Sequence, residues 1–429
     1  MTRTLIRDVR LIDPERGTEA PGALLIEGGL IADLLPPDPE GTFDAVIDGQ
    51  GKHLAPGLVD WGVKVSEPGE RHKESFRTAG LSAAAGGVTT IVTRPDTTPA
   101  IDTPETLEFV ARRAALDSPV RVLPMAALTK GREGREMTEL AFLRDAGAVA
   151  FTDAGAVTED TRVLARALTY ARGLHALVVT HVQDPGLSRG AVMTSGKFAT
   201  LKGLPAVSPV AERLGLERDL ALAEMTGAAL HADQVTTAAA LPALQRAKDM
   251  GLDVTAGVSV HHLTLNDLDV GDYRTFFKLV PPLRQEDDRE AAVEALASGL
   301  LDTLSSQHTP QDEESKRLPF EAAAPGAVGL ETLLPASLRL VHAGRLTLPQ
   351  LFRALSLNPS RRLGLPTGRL QRGAPADLVL FDPHAPFVLD RWTLLSKSKN
   401  TPFDGARLQG RVRGTWVAGR RVWPLTDAA

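Results

Sequence analysis

Cysteine is absent from all 429 residues. Disulfides, thiolate metal sites and thiol nucleophiles are thereby excluded. Also missing is any run of roughly 18 uninterrupted apolar residues, the minimum for a membrane-crossing helix. Positive charge is not in excess: 48 Lys and Arg stand against 53 Asp and Glu, a formal net charge of −5, with no long basic run. A nucleic-acid surface is therefore not expected. The N-terminus, MTRTLIRDVRLIDPERG, alternates apolar and polar residues and lacks the long apolar stretch of a secretory signal. These absences predict a soluble cytoplasmic protein that engages neither membrane nor nucleic acid.

What is present is ordinary for a globular chain, 43% hydrophobic and 24% charged. The length allows a large core and two structural units. Strand-like pieces such as TLIRDVRLID and GALLIEGGLIADLL fill the N-terminal end, separated by Gly and Pro. The C-terminal end reads the same way, in GAPADLVLFDP and RLQGRVRGTWVAGRRVW. A small β-sandwich-like domain built from residues 1–55 and 361–429 is the expectation. Across residues 56–360, short apolar runs alternate with helix-length stretches such as TPETLEFVARRAAL. The runs are 58–65, 89–93, 120–127, 149–153, 176–181, 230–235, 254–258 and 301–306. Strand and helix repeated in this way predict an α/β fold, a (β/α)8 TIM-like barrel with its functional residues at the C-terminal ends of the strands. The longest connection, around GAVMTSGKFATLKGLPAVSPV, is expected to form a rim loop over the mouth.

The strand ends then name candidates. The first run, LVDWGVKV, presents Gly62 and Lys64 at alternate positions, which share one face of a strand. The second leads through TRPDTTP to Asp96, the fourth ends in Asp153 and the fifth in His181. The sixth carries His231 and Gln234, three residues apart and so expected on opposite faces. His261 and His262 follow the seventh, where packing and hydrogen bonding are expected of them; the eighth ends in Gln307 and His308.

Ten stretches carry a resemblance, in order: APGLVD, EPGERHKE, AAAGGVTT, RPDTTPAID, AGAVAFTDAG, DVTAGVSVHHLTL, FKLVPPLRQEDDRE, PGAVGLETLLP, GAPADLVLFDP and SKSKNTPF. In this order they resemble dihydroorotases of the amidohydrolase superfamily. The resemblance implies a binuclear zinc site at the barrel mouth and hydrolysis of a cyclic amide in pyrimidine synthesis.

At the positions that matter most, the sequence departs from that pattern. The family's His-x-His zinc pair falls on Gly62 and Lys64. Glycine has no ligating atom, and an ammonium group has donors but no lone pair. The histidine of the sixth strand is matched by Gln234, and the proton-shuttling aspartate of the eighth by Gln307, an amide that cannot act as a base. Ser66 stands where the resemblance implies a carboxylate-holding arginine, and Asp96 where it implies an asparagine, a change expected to repel an anionic substrate. Asp153 and His181 are the metal-ligand positions that survive, too few to close a zinc site. No cofactor is therefore expected, although zinc is implied for active relatives.

These residues predict a degenerate cleft. Lys64 has two readings, a catalytic amine or a cation that replaces the metal charge beside Asp153; the second is favoured. His308 is expected to contact a small molecule or to make structural hydrogen bonds. The lysines of SKSKNTPF are expected on a surface turn that docks the small domain, not at an anion site. For the whole chain, the resemblance implies a non-catalytic partner of aspartate carbamoyltransferase, in a homo- or hetero-oligomer. Two alternatives stay open: an active amidohydrolase with a reduced or altered metal site, and a small-molecule sensor.

Overall fold

The computed structural model describes residues 2–424. The N-terminal strands β1 (Arg3–Asp13), β2 (Thr18–Glu27) and β3 (Leu30–Leu35) form an antiparallel meander, and β4 (Ala45–Pro56) lies parallel to β1. From Leu58 onward the chain turns into the barrel. Strands β5 (Leu58–Val63), β6 (Val88–Thr93) and β7 (Arg121–Pro124) pair in parallel. Every residue of β5 and β6 is buried, as parallel strands covered on both faces require.

Strand β8 (Val178–His181) opens the second half of the barrel. The long connection after it holds the expected rim loop, stitched by a short parallel pair, β9 (Met193–Thr194) and β10 (Ala206–Val207). Strands β11 (Leu230–Asp233), β12 (Val254–Ser259) and β13 (Thr303–Ser305) complete a four-stranded piece with the order β13-β12-β11-β8. The expected fourth barrel strand is reduced to bridges from Phe151 to Ala126 and to Val178, which join the two pieces. The opposite seam closes where the Lys64 amide donates to the His308 carbonyl at 2.8 Å and the Ser306 amide donates to Asp60 Oδ1 at 2.8 Å.

Local signals account for the helices between the strands. Ser75 and Thr78 form a capping box at the start of the helix Phe76–Ala85, and Thr103 with Pro104 opens Pro104–Asp117. Val59, Trp61, Val92, Met125, Leu177 and Val179 pack together inside the barrel, leaving its upper end to polar residues.

The chain then returns to the terminal sheet through β14 (Leu378–Val388), β15 (Arg407–Val417) and β16 (Arg420–Trp423). Both ends thus share one seven-stranded sheet, β16-β15-β14-β4-β1-β2-β3. Its own core joins Ile6, Leu24 and Ile26 to Leu378 and Trp416. Residues 425–429 of the expected small domain lie outside the described residues. Among the described residues, no helix is long and apolar enough to cross a membrane.

Candidate functional site

At the C-terminal ends of the barrel strands lies a cleft of about 270 Å³, with Lys64, Arg94, Asp96, Arg132, His181 and Asp233 in its wall. Its centre is an ion cluster. Arg94, the first residue after β6, donates to Asp96 Oδ1 at 3.0 Å and to Oδ2 at 2.6 Å. This is the bidentate geometry that makes such pairs strong. The Lys64 ammonium stands 3.4 Å from Asp96 Oδ2 and 3.7 Å from Glu70 Oε2. Burial by itself would raise the Asp96 carboxyl, but the Arg94 guanidinium, with help from Lys64, holds it at about 2. Asp96 was expected to repel anions; with two cations on it, the carboxylate is neutralised instead.

The expected contact between Lys64 and Asp153 is not formed. Asp153 has its own donors: the Thr129 amide at 3.0 Å, the Thr129 hydroxyl at 2.7 Å and the Thr158 hydroxyl at 3.1 Å. Burial raises its pKa despite these bonds. Hydrogen bonds within its own neighbourhood thus did the work assigned to a cation, and the ammonium went to the nearer carboxylates.

Gln307 lies under the cleft. Its Nε2 donates to Asp233 Oδ1 at 2.8 Å, and its Oε1 is buried with no partner among the described residues. A side chain at Gly62 would meet it, because a Cβ there falls 2.6 Å from the Gln307 amide. Gly62 also has φ +68°, a conformation other residues avoid. The small residue at 62 and the amide at 307 fill one space between them.

Other candidates are dispersed. Gln234 reaches the wall and donates to the Val280 carbonyl at 3.3 Å. His181 also lines the cleft; burial, with Arg94 and Arg284 nearby, lowers its pKa to about 4, so it is neutral near pH 7. Ser66 is 1% exposed and its hydroxyl has no partner among the described residues. His308 is fully buried, not in the wall: its Nε2 lies 3.4 Å from Glu74 Oε2 and its Nδ1 accepts from the Gly329 amide at 3.2 Å. Of its two expected roles, the structural one is the one observed. His262 behaves as expected, bonded to Ser259 at 2.8 Å, whereas His261 packs on Phe403 but its Nε2 has no hydrogen-bond partner among the described residues.

His231 is a correction. It does not leave the barrel interior, since its ring packs on Trp61 at 4.6 Å between centroids and bonds Thr255. Gln234 has φ +59°, so strand alternation stops before it and the expected opposition of faces does not apply. Asp233, two residues from His231, also lines the cleft, and simple alternation from His231 points to it. Burial raises its pKa to about 6 against the pull of Arg94. Arg94 and Arg132 were also passed over; each stands just beyond the apolar pattern that drew attention to the strand ends.

Comparison with known proteins now bears on this geometry. The Dihydro-orotase-like family model matches residues 51–239 and an Amidohydrolase family model matches 317–423. A dihydroorotase of Syntrophobacter fumaroxidans is 40% identical over 420 residues, covering 97% of this chain and 96% of that one. The chain belongs to the dihydroorotase family. A dihydroorotase of Syntrophus aciditrophicus is 39% identical over 98% of this chain and 99% of its own length. Among solved structures, L-hydantoinase from Arthrobacter aurescens aligns with a TM-score of 0.89 at 25% identity, covering 98% of this chain and 96% of that one. The amidohydrolase barrel is the fold.

The side chains at the mouth do not fit the zinc pair that dihydroorotase membership implies. Lys64 brings an ammonium where a lone pair is needed, and Arg94 and Arg132 add further positive charge to the same cleft. Asp233 is engaged by Gln307, and both Asp153 oxygens are engaged by threonines. No three His, Asp or Glu side chains converge on a metal position among the described residues.

Proposed function

We propose that this dihydroorotase-like amidohydrolase chain does not turn over dihydroorotate and serves pyrimidine biosynthesis as a structural or regulatory partner of aspartate carbamoyltransferase. The observation that carries the non-catalytic half is the Lys64 ammonium, 3.4 Å from Asp96 and inside the cleft. A cation repels a divalent ion, and a neutral Gln307 stands where proton transfer needs a carboxylate. In this reading Gly62, Lys64, Ser66, Asp96, Gln234, Gln307 and His308 occupy the places of lost machinery, and Asp153 and His181 are its remnants. The reading divides the chain into a barrel, 56–360, and a terminal domain from 1–55 and 361–429.

The test assays purified protein in both reaction directions, with and without added zinc. Turnover is expected to stay more than about a hundredfold below an ordinary enzyme's ~10 per second. A faster zinc-dependent rate would instead establish an active amidohydrolase with an altered site. The partner half is tested separately, by co-expression with the catalytic chain of aspartate carbamoyltransferase; the two are expected to elute as one complex, and independent elution overturns that half. A second reading, a small-molecule sensor, is favoured by the open cleft with His181 and Asp233 in its wall. A ligand-dependent rise in melting temperature would support it.

A further inference from the structure

The segment SKSKN, residues 396–400, was expected on a surface turn without an anion role, and its burial pattern differs from that expectation. Ser396, Ser398 and Asn400 are 1%, 6% and 2% exposed. Their side chains pin the segment to the barrel: Ser396 to Glu74, Ser398 to the Lys73 carbonyl at 2.9 Å, Asn400 to the Thr309 carbonyl at 3.1 Å. Lys397 is exposed and Lys399 half-buried, and both line a second cleft of about 250 Å³ that shares only Gln311 with the mouth.

Cationic groups in this cleft outnumber the carboxylates free to meet them. Lys316, 4% exposed, donates to the carbonyls of Thr275 at 3.0 Å and Ala324 at 2.7 Å. Lys397 donates to the Arg71 carbonyl at 2.8 Å, and Lys399 to the carbonyls of Leu394 and Ser396 at 2.5 and 2.6 Å. An ammonium has three N–H donors, so each retains at least one when protonated. None of the three has a carboxylate within ion-pair distance among the described residues, whereas the two acids of the wall are occupied. Asp312 caps the helix Glu313–Lys316 and faces His72 at 3.6 Å; Glu313 is 3.2 Å from Arg317.

Aromatic surface flanks these cations. The Arg391 guanidinium lies 4.5 Å from the Trp392 ring centroid and 5.3 Å from that of Phe276, within cation–π distance of both. Trp392 is 61% exposed and lines the cleft, so its ring is open to a ligand there. The volume falls just below the ~300–1,000 Å³ of typical ligand pockets. That size suits a small molecule and excludes a dinucleotide.

We propose that this second cleft binds a small organic oxyanion carrying a planar ring, its carboxylate or phosphate met by Lys316, Lys397 and Lys399 and its ring by Trp392. Burial, with Lys278 adding repulsion, lowers the Lys316 pKa to about 7, so an arriving anion would supply the countercharge that the cleft lacks.

Tryptophan emission of the full chain, titrated separately with benzoate, phenyl phosphate and inorganic phosphate, tests the proposal. Saturable quenching by benzoate or phenyl phosphate is expected, the tighter of the two assigning the anionic group. Trp392→Phe is expected to remove the signal. Lys397→Ala with Lys399→Ala, at exposed and half-exposed positions that the fold tolerates, is expected to weaken binding by about tenfold or more. Lys316→Met is expected to weaken it further; should that variant not fold, the Lys397/Lys399 pair still decides. Lys64→Met, in the mouth, is expected to leave the affinity unchanged. The proposal is overturned by an absence of saturation with either ring-bearing anion or by undiminished affinity in the Lys397/Lys399 variant. Equal affinity for inorganic phosphate, or loss of binding in Lys64→Met, overturns it as well.

Discussion

Two buried carboxylates, Glu212 behind the barrel wall and Asp96 at its mouth, are handled in different ways. Glu212, in the helix Val210–Thr226 outside the barrel, is closed off by protein donors on every side. It accepts from the amides of Thr236 at 2.7 Å and Thr237 at 2.8 Å, from the Thr237 hydroxyl at 2.9 Å and from the Arg284 guanidinium at 3.1 Å. These bonds tie the loop after β11 to the segment PPLR, and solvent reaches neither partner: their side chains are 0% and 1% exposed. Asp96 has the bidentate Arg94, but its other neighbour is a lysine at 3.4 Å, and the group opens on a cleft. Nearby, Gln307 Oε1 and Ser66 Oγ have no partner among the described residues. A carboxylate that exists to hold the fold has its hydrogen-bonding capacity filled by neutral and charged donors together. The mouth instead opens on a cleft and keeps buried polar atoms without partners among the described residues.

The most severe way to break this comparison is to remove Glu212. Glu212→Ala leaves Arg284 buried and uncompensated, so urea unfolding is expected to register a loss of about 3–5 kcal/mol. A loss under about 1 kcal/mol would mean that the knot is not what holds the rim. Next in size comes Arg94→Met, which leaves Asp96 with only the more distant Lys64; about 3 kcal/mol is expected in the same measurement. Equal costs for Arg94→Met and Lys64→Met would contradict the ranking of the two cations.

Gly62→His is expected to cost about 2 kcal/mol, through overpacking against Gln307 and strain at φ +68°. Coupling it with Gln307→Asp removes the amide from the shared space, so thermal unfolding of the double variant is expected to recover the steric part and retain the backbone part. If the double variant is no more stable than Gly62→His, the two positions do not share one space. Lys64→Met is the mildest change, about 1 kcal/mol or less, because Asp96 keeps both Arg94 bonds. That value is well below what a Lys64–Asp153 pair would have required, so a double-mutant cycle with Asp96→Asn against one with Asp153→Asn distinguishes the two partners. Coupling to Asp153 rather than to Asp96 would reverse the assignment made here.

Much of the architecture was legible. Buried apolar runs alternating with capped helices announced the barrel, and the matching strand-rich ends announced the sheet they share. The exception, the run at 149–153, is held by bridges at Phe151 and no longer ladder, which an apolar pattern cannot reveal. The candidate site was less legible, and for one recurring reason. Gly62, Gln234 and Gln307 have φ of +68°, +59° and +47°, so three strand ends at the mouth leave the extended conformation within a residue or two of the positions under scrutiny. Period-two reasoning holds only while the backbone stays extended. It set His231 and Gln234 on opposite faces, where the turn at Gln234 ends the alternation, and overlooked Asp233.

The sequence by itself determined which residue types are present: no cysteine anywhere, and Gly62, Lys64, Gln234 and Gln307 at positions where the family resemblance implies ligands and a base. It also contained the alternation of small polar residues with lysines in SKSKN. Only the tertiary structure decided which carboxylate Lys64 meets, that His308 is buried against Glu74, and that the two lysines of SKSKN overlook a cleft beside Trp392. Residue identity and strand period are local and can be read along the chain. A buried charge's partner is the donor or acceptor that packing brings nearest from a distant segment, and desolvation makes that competition depend on a few tenths of an ångström.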